Sequence, residues 1–142
     1  MTEPDSRDPA YVGHMREAIA RIRRYVGRTR RAGFLKKALL QDAVIRNIEI
    51  VGEAAGRVSA EFTARHPEIP WREIVGMRHR LIHGYLKVNL DTVWEVIERD
   101  LPALGRSLRA LVEPLTPPVR KPRRPRASRP PRPRERAHAR RR

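Results

Sequence analysis

Four times along this chain apolar side chains return at spacings of three and four, and nowhere do they alternate over a convincing length. The first run, Tyr11, Met15, Ile19, Ile22 and Val26 with Ala18 and Tyr25 beside it, predicts an amphipathic helix ending near Gly27, with Arg16, Arg23 and Arg24 on its solvent side. The second, from Phe34 to about Ser59, carries Leu35, Leu39, Ile45, Ile48, Val51, Ala55 and Val58; Gly52 and Gly56 inside it mark the close approach of a neighbouring helix. His66-Pro67-Glu68-Ile69-Pro70 reads as a loop, and Pro70 opens a third helix through Trp71, Ile74, Val75 and Met77 that Gly84 helps to end. A fourth, capped by Asn89 or Asp91, carries Val93, Trp94, Ile97, Leu101, Leu104, Leu108 and Leu111, and Pro102 bends or divides it.

The expected fold is all-α: an antiparallel bundle of four main helices over residues 11–113, after a flexible stretch at 1–10. Such a bundle has a modest core. A homodimer, with Trp71 and Trp94 as core or dimer contacts, is therefore expected on energetic grounds.

Composition narrows the function classes. The chain has 142 residues, room for one domain, and no cysteine, so disulfide scaffolds, thiolate metal sites and cysteine nucleophiles are excluded. Its apolar runs are a few residues long and the start, MTEPDSRDPA, is acidic and polar, which predicts a soluble, cytoplasmic protein without a membrane span or secretory signal. The formal net charge is +16, of which residues 120–142 supply +11, from twelve Arg or Lys and the single acid Glu135. That Pro/Arg-rich tail, taken from 114 onward, has too few apolar side chains to offset its ordering entropy and is expected to be disordered. It serves either to attract nucleic acid through phosphate neutralisation or as a solvated solubility tail.

No His-Glu-x-x-His pair, EF-hand loop, phosphate-binding Gly-x-x-x-x-Gly-Lys or Gly-x-Ser-x-Gly elbow occurs. The residues that could do chemistry concentrate in Arg78-His79-Arg80-Leu81-Ile82-His83-Gly84-Tyr85. A His and an Arg together suit phosphodiester cleavage in RNA. The imidazole, with an unperturbed pKa near 6.5, moves a proton on or off the 2′-hydroxyl or the leaving 5′-oxygen, while the planar guanidinium clamps the phosphate; neither task needs a metal or cofactor. His79 and Arg80 could position the RNA backbone, and Tyr85 could stack on a base or bond a phosphate. On an ideal helix Arg78 and His83 lie about 140° apart. Either the helix frays before Gly84 or a second subunit completes the pair, and the shared site is the favoured reading. His14 reads as a boundary histidine, His66 belongs to the loop and His138 to the tail. Glu53 either neutralises an Arg or faces solvent.

The stretch from about Asp42 to Leu104 resembles the HepT-like branch of the HEPN superfamily. The resemblance rests on Asp42-Ala43-Val44-Ile45-Arg46-Asn47, Val51-Gly52-Glu53-Ala54-Ala55, Pro70 to Arg78, Arg80 to Tyr85, Val88-Asn89-Leu90-Asp91, Val93-Trp94 and Asp100-Leu101-Pro102. It leaves the tail uncovered. It implies a small dimeric, metal-independent endoribonuclease, the toxin of a type VII-like pair whose antitoxin is a minimal, MntA-like nucleotidyltransferase. The family's Arg followed four to six residues later by His falls on Arg78 and His83. The polar residue after the Arg falls on His79, where Asn is commoner. The tyrosine two after the His falls on Tyr85, in relatives the acceptor of AMP from the antitoxin. Asn47 and Glu53, inside two matching motifs, are candidate cleft residues.

The function expected is thus cleavage of RNA, tRNA or mRNA, with His83 as general acid–base, Arg78 stabilising the transition state, His79 and Arg80 in support, and Tyr85 as regulatory acceptor. AMP there would set phosphate charge and bulk where substrate phosphate must sit. Two other readings remain open: a non-catalytic helical adaptor that binds RNA or a nucleotidyltransferase, and a nucleic-acid binder whose activity lies in the tail.

Overall fold

The computed structural model describes residues 7–83 and 87–112, with Ile82, His83 and Val112 placed by their backbone alone. The expectations for residues 1–6, Gly84, Tyr85, Pro114 and the basic tail lie outside these residues.

The first helix, α1 (Asp8–Val26), starts three residues before Tyr11. A polar contact explains the earlier start. Asp8 is 1% exposed, and its carboxylate accepts the backbone N–H of Ser59 at 2.8 Å and the Ser59 hydroxyl at 2.6 Å. Residues 8–10 therefore belong to the folded unit rather than to a flexible leader. Gly27 stops α1 with φ +50°, a left-handed conformation that favours glycine, while its N–H still bonds the Arg23 carbonyl at 2.9 Å.

A short helix, α2 (Arg31–Phe34), follows, and the helix expected from Phe34 instead begins at α3 (Ala38–Arg57). Nine residues at 100° each place Leu39 opposite Ile48, so Leu39 is 87% exposed while Val44, Ile48, Val51 and Ala55 form the core face. Leu35 and Val75, also assigned to apolar faces, are exposed as well.

Asp8 at the start of α1 meets Ser59 just past α3, and midway Arg21 Nε donates to Asn47 Oδ1 at 2.8 Å; the two helices are antiparallel. Ser59 then caps a helix that the apolar pattern does not mark, α4 (Ala60–Arg65), its hydroxyl accepting the Phe62 N–H at 3.2 Å.

Two short helices, α5 (Trp71–Val75) and α6 (Met77–Leu81), stand where one continuous helix was expected, with Gly76 at the joint. Gly52 does mark a close approach: a Cβ there would lie 3.3 Å from the Ile74 carbonyl oxygen, so α5 rests on the backbone of α3. After α6 the chain forms two two-residue strands, β1 (Ile82–His83) and β2 (Lys87–Val88), antiparallel with Ile82 opposite Val88 and His83 opposite Lys87. This ladder is the only strand pairing among the described residues. Four residues are too few to show period-2 alternation.

Asn89 caps α7 (Leu90–Glu95) by accepting the Thr92 N–H at 3.2 Å. A π turn over Val96–Asp100 joins α7 to α8 (Leu101–Val112), with the Leu101 N–H bonded to the Val96 carbonyl. Pro102 explains the wide turn. It has no N–H to donate, and in a regular helix its ring would crowd the Glu98 carbonyl. The helix is thus joined through a bulge rather than divided.

Arg31 pairs with Asp91, and the rings of Phe34 and Trp94 lie 5.4 Å apart, so the start of α7 sits near the end of α1. The run from α7 to α8 therefore returns antiparallel to α1. The hydrogen bond and charge of Asp91 hold the Arg31 guanidinium above the usual arginine pKa, but the pair is exposed and solvent screens it. Packing of α5 and α6 on α3, α7 on α6, and α8 on α1 closes the bundle around Met15, Phe34, Ile48, Leu81 and Leu108. No helix among the described residues is long and apolar enough to cross a membrane.

Candidate active site

The polar cluster sits on α6 and the strand that follows it. Met77 and Leu81 face the core, which turns Arg78, His79 and Arg80 to solvent. Leu81 is the last helical residue; its carbonyl accepts the Asn89 N–H at 2.8 Å, and His83 already belongs to β1. The 140° separation of an uninterrupted helix therefore does not describe Arg78 and His83. Helix ending, the first of the two alternatives, is what the backbone does; the side chain of His83 and all of Tyr85 lie outside the described residues.

Arg78 turns toward α3. Its Nε lies 3.6 Å from Glu49 Oε1, and the other oxygen of the same carboxylate lies 3.5 Å from Arg46 Nη1. Glu49 is the sheltered member, its side chain 23% exposed against 67% for Arg78 and 62% for Arg46. One carboxylate thus holds two guanidiniums that both face solvent. A guanidinium gripped at Nε keeps its charge and its Nη donors, which are what a phosphate would engage.

His79 and Arg80 face the other way. Two residues along a helix is about 200°, and these side chains line an open groove of about 480 Å³ with Thr92, Glu95, Arg99 and Asp100. Arg80 Nη2 lies 2.5 Å from Asp100 Oδ2. Within one chain, then, the structure does not bring Arg80 to Arg78; it commits Arg80 to the π turn.

The two candidate cleft residues also part. Asn47 is 6% exposed, accepts from Arg21, and donates through Nδ2 to the Ala43 carbonyl at 2.8 Å. Its polar atoms are spent on the α1–α3 contact. Glu53 is exposed and lines a groove of about 230 Å³ between those helices, with Glu17, Arg21 and Arg57 among its neighbours. Neither touches Arg78. The residues that do belong beside it, Glu49 and Arg46, were not singled out from the sequence. Their i, i+3 spacing on the exposed side of α3 was the available signal.

Comparison with known proteins bears on the same segment. A family model described as ribonuclease HepT-like matches residues 15–111, which include Arg78 and His83. A protein of Methanocaldococcus jannaschii named "Gamma-glutamylcyclotransferase and putative RNase" is 39% identical over 105 residues, covering 74% of this chain and 47% of that protein. The chain thus spans about half the length of that relative. A protein of Thermococcus cleftensis named "Probable ribonuclease HepT" is 39% identical over 94 residues, covering 66% of this chain and 86% of the relative. No solved structure gives a significant match.

Proposed function

The chain belongs to the HepT-like ribonuclease family, and from that premise we propose that it is an endoribonuclease toxin cleaving RNA without a metal, with Arg78 and His83 as its catalytic residues. The observation that carries the reading is Arg78 itself, exposed on α6 and anchored at Nε by Glu49, five residues before a histidine that lies beyond the end of the helix.

The chemistry follows from the two groups. The 2′-oxygen attacks the adjacent phosphorus, the P–O5′ bond breaks, and the products are a 2′,3′-cyclic phosphate and a 5′-hydroxyl. One proton must leave the 2′-hydroxyl and one must reach O5′. An imidazole contributes roughly 10² to 10⁴-fold to such transfers. In a homodimer a second His83 divides them, one ring accepting while the other donates. Arg78 meets the charge that grows on the non-bridging oxygens, where its attraction is larger than in the ground state. His79, next to Arg78 in sequence, contributes to holding the RNA backbone. Tyr85 is the acceptor of AMP from a nucleotidyltransferase antitoxin, and the added phosphate opposes substrate phosphate by charge and bulk.

The test is cleavage of total cellular RNA by wild type, Arg78→Ala and His83→Ala in the presence of EDTA, with the product ends identified. Cyclic phosphate ends from wild type, absent with both variants, support the reading. Undiminished cleavage by His83→Ala overturns it. Adding a nucleotidyltransferase antitoxin of the MntA-like kind with ATP should silence wild type and spare Tyr85→Phe.

A further inference from the structure

A second basic surface lies on a different edge of the bundle from Arg78. An open groove of about 660 Å³ runs between α1 and α8, walled by Arg16 and Arg23 on one side and Arg106 and Arg109 on the other. Glu17 is its one acidic residue. None of the four arginines has a hydrogen-bond or ion-pair partner among the described residues. In the grooves beside α6 and between α1 and α3, by contrast, two arginines are matched by two acids. Of these three grooves, the one between α1 and α8 alone carries an excess of positive charge.

We propose that this groove binds the phosphodiester backbone of the RNA substrate, outside the site of cleavage. Exposed arginines at the ends of helices have another explanation, since cations suit the last turn; that accounts for Arg23 and Arg109. It does not account for Arg16 and Arg106, which lie within their helices. Arg16 and Arg23 are two turns apart, about 10 Å along α1, so the walls offer positive charge repeated along the groove rather than a pocket for one small anion. Gly105 on its floor lies close to α1: a Cβ there would stand in van der Waals contact, 3.7 Å from the Ile19 side chain. Residues 120–142, with twelve basic side chains against one acid, bring no charge complementary to the groove. A polyanion is attracted by both, and the tail follows α8 in the chain. That the polyanion is RNA rests on the ribonuclease reading.

The experiment uses the full chain carrying His83→Ala, so that RNA is bound but not consumed, and a fluorescein-labelled 20-nucleotide oligouridine. Anisotropy titrations between 50 and 200 mM salt give the slope of log K against log salt, which falls by about 0.7 for each phosphate of a single strand that the protein no longer neutralises. Replacing the four arginines by glutamine should lower the slope by about 3 and weaken binding on the order of 100-fold near 100 mM. The pairs Arg16→Gln with Arg23→Gln, and Arg106→Gln with Arg109→Gln, should each give about half the change in slope, so the test does not depend on the quadruple variant folding. An unchanged slope in both pairs overturns the inference. So does normal RNA binding alongside failure to bind the nucleotidyltransferase partner, which would make the groove a protein-docking surface. Cleavage by the protein with His83 intact is read separately. If it cuts RNA while the groove variants bind normally, only the groove falls; if it cuts nothing while they bind weakly, the groove stands and the cleavage reading falls.

Discussion

Glu49 Oε1 stands 3.6 Å from Arg78 Nε, joining the middle of α3 to the exposed side of α6. Because the carboxylate is the sheltered partner, it sets where the guanidinium lies rather than the reverse. Glu49→Gln keeps the shape and removes the charge. On an exposed pair the energy is at most about 1 kcal/mol, so kcat should fall by roughly three- to fivefold. KM should hold or drop, since one negative charge leaves the path of the phosphate. A KM that rises with kcat unchanged would assign Glu49 to ground-state binding instead.

Asp8 and Ser59 tie the start of α1 to the junction of α3 and α4. Asp8→Ala leaves the partly buried Ser59 N–H without its charged acceptor, at a cost of about 1–3 kcal/mol. Urea unfolding should report that cost through a lower midpoint with an unchanged slope. Cleavage by the folded fraction should be normal, because the contact lies far along the chain from α6.

Two glycines of α3 separate packing from propensity. A Cβ on Gly56 would meet only the Val75 side chain, at 3.8 Å, so Gly56→Ala should stabilise by up to about 1 kcal/mol through helix propensity. Gly52 lies against backbone, with the Ile74 and Val75 carbonyl oxygens 3.3 and 3.7 Å from the added Cβ. Gly52→Val must push α5 away, costing about 1–3 kcal/mol. As α5 leads directly into α6, cleavage should fall along with the melting temperature. A valine tolerated at 52 in both assays would mean that α5 moves freely.

What could be read from the sequence follows from range. Helical spacing is local, so the existence of α1, α3 and α8, the Asn89 cap and the close approach at Gly52 were all legible. Leu39 follows Leu35 by four, but the break at residues 35–37 separates those two, and within α3 its nine-residue spacing to Ile48 puts it on the opposite side. The chemistry of Arg78 is visible as residue type and spacing, but its partner Glu49 lies 29 positions earlier and is found only through packing. Within residues 78–80 the sequence also does not show which way each side chain turns. Consecutive residues on a helix face different neighbours, and Arg80 went to Asp100.

That divergence separates two arginines that sequence alone would group. Arg78→Ala removes a guanidinium with solvent-facing freedom beside the candidate site, and removing one such charge-stabilising donor typically costs 10² to 10³ in kcat. Arg80 is held by Asp100 with side-chain exposures of 49% and 41%, so Arg80→Ala should cost no more than about 1 kcal/mol of stability. Its kcat should stay within about threefold of wild type, and Arg80→Lys, which retains an ion pair with Asp100, should be closer still. Single-turnover cleavage of one defined RNA by all three variants makes the comparison. Equal reductions in Arg78→Ala and Arg80→Ala would show that the two side chains converge on substrate, as they would if a second subunit brought the opposite sides of two α6 helices together across the RNA.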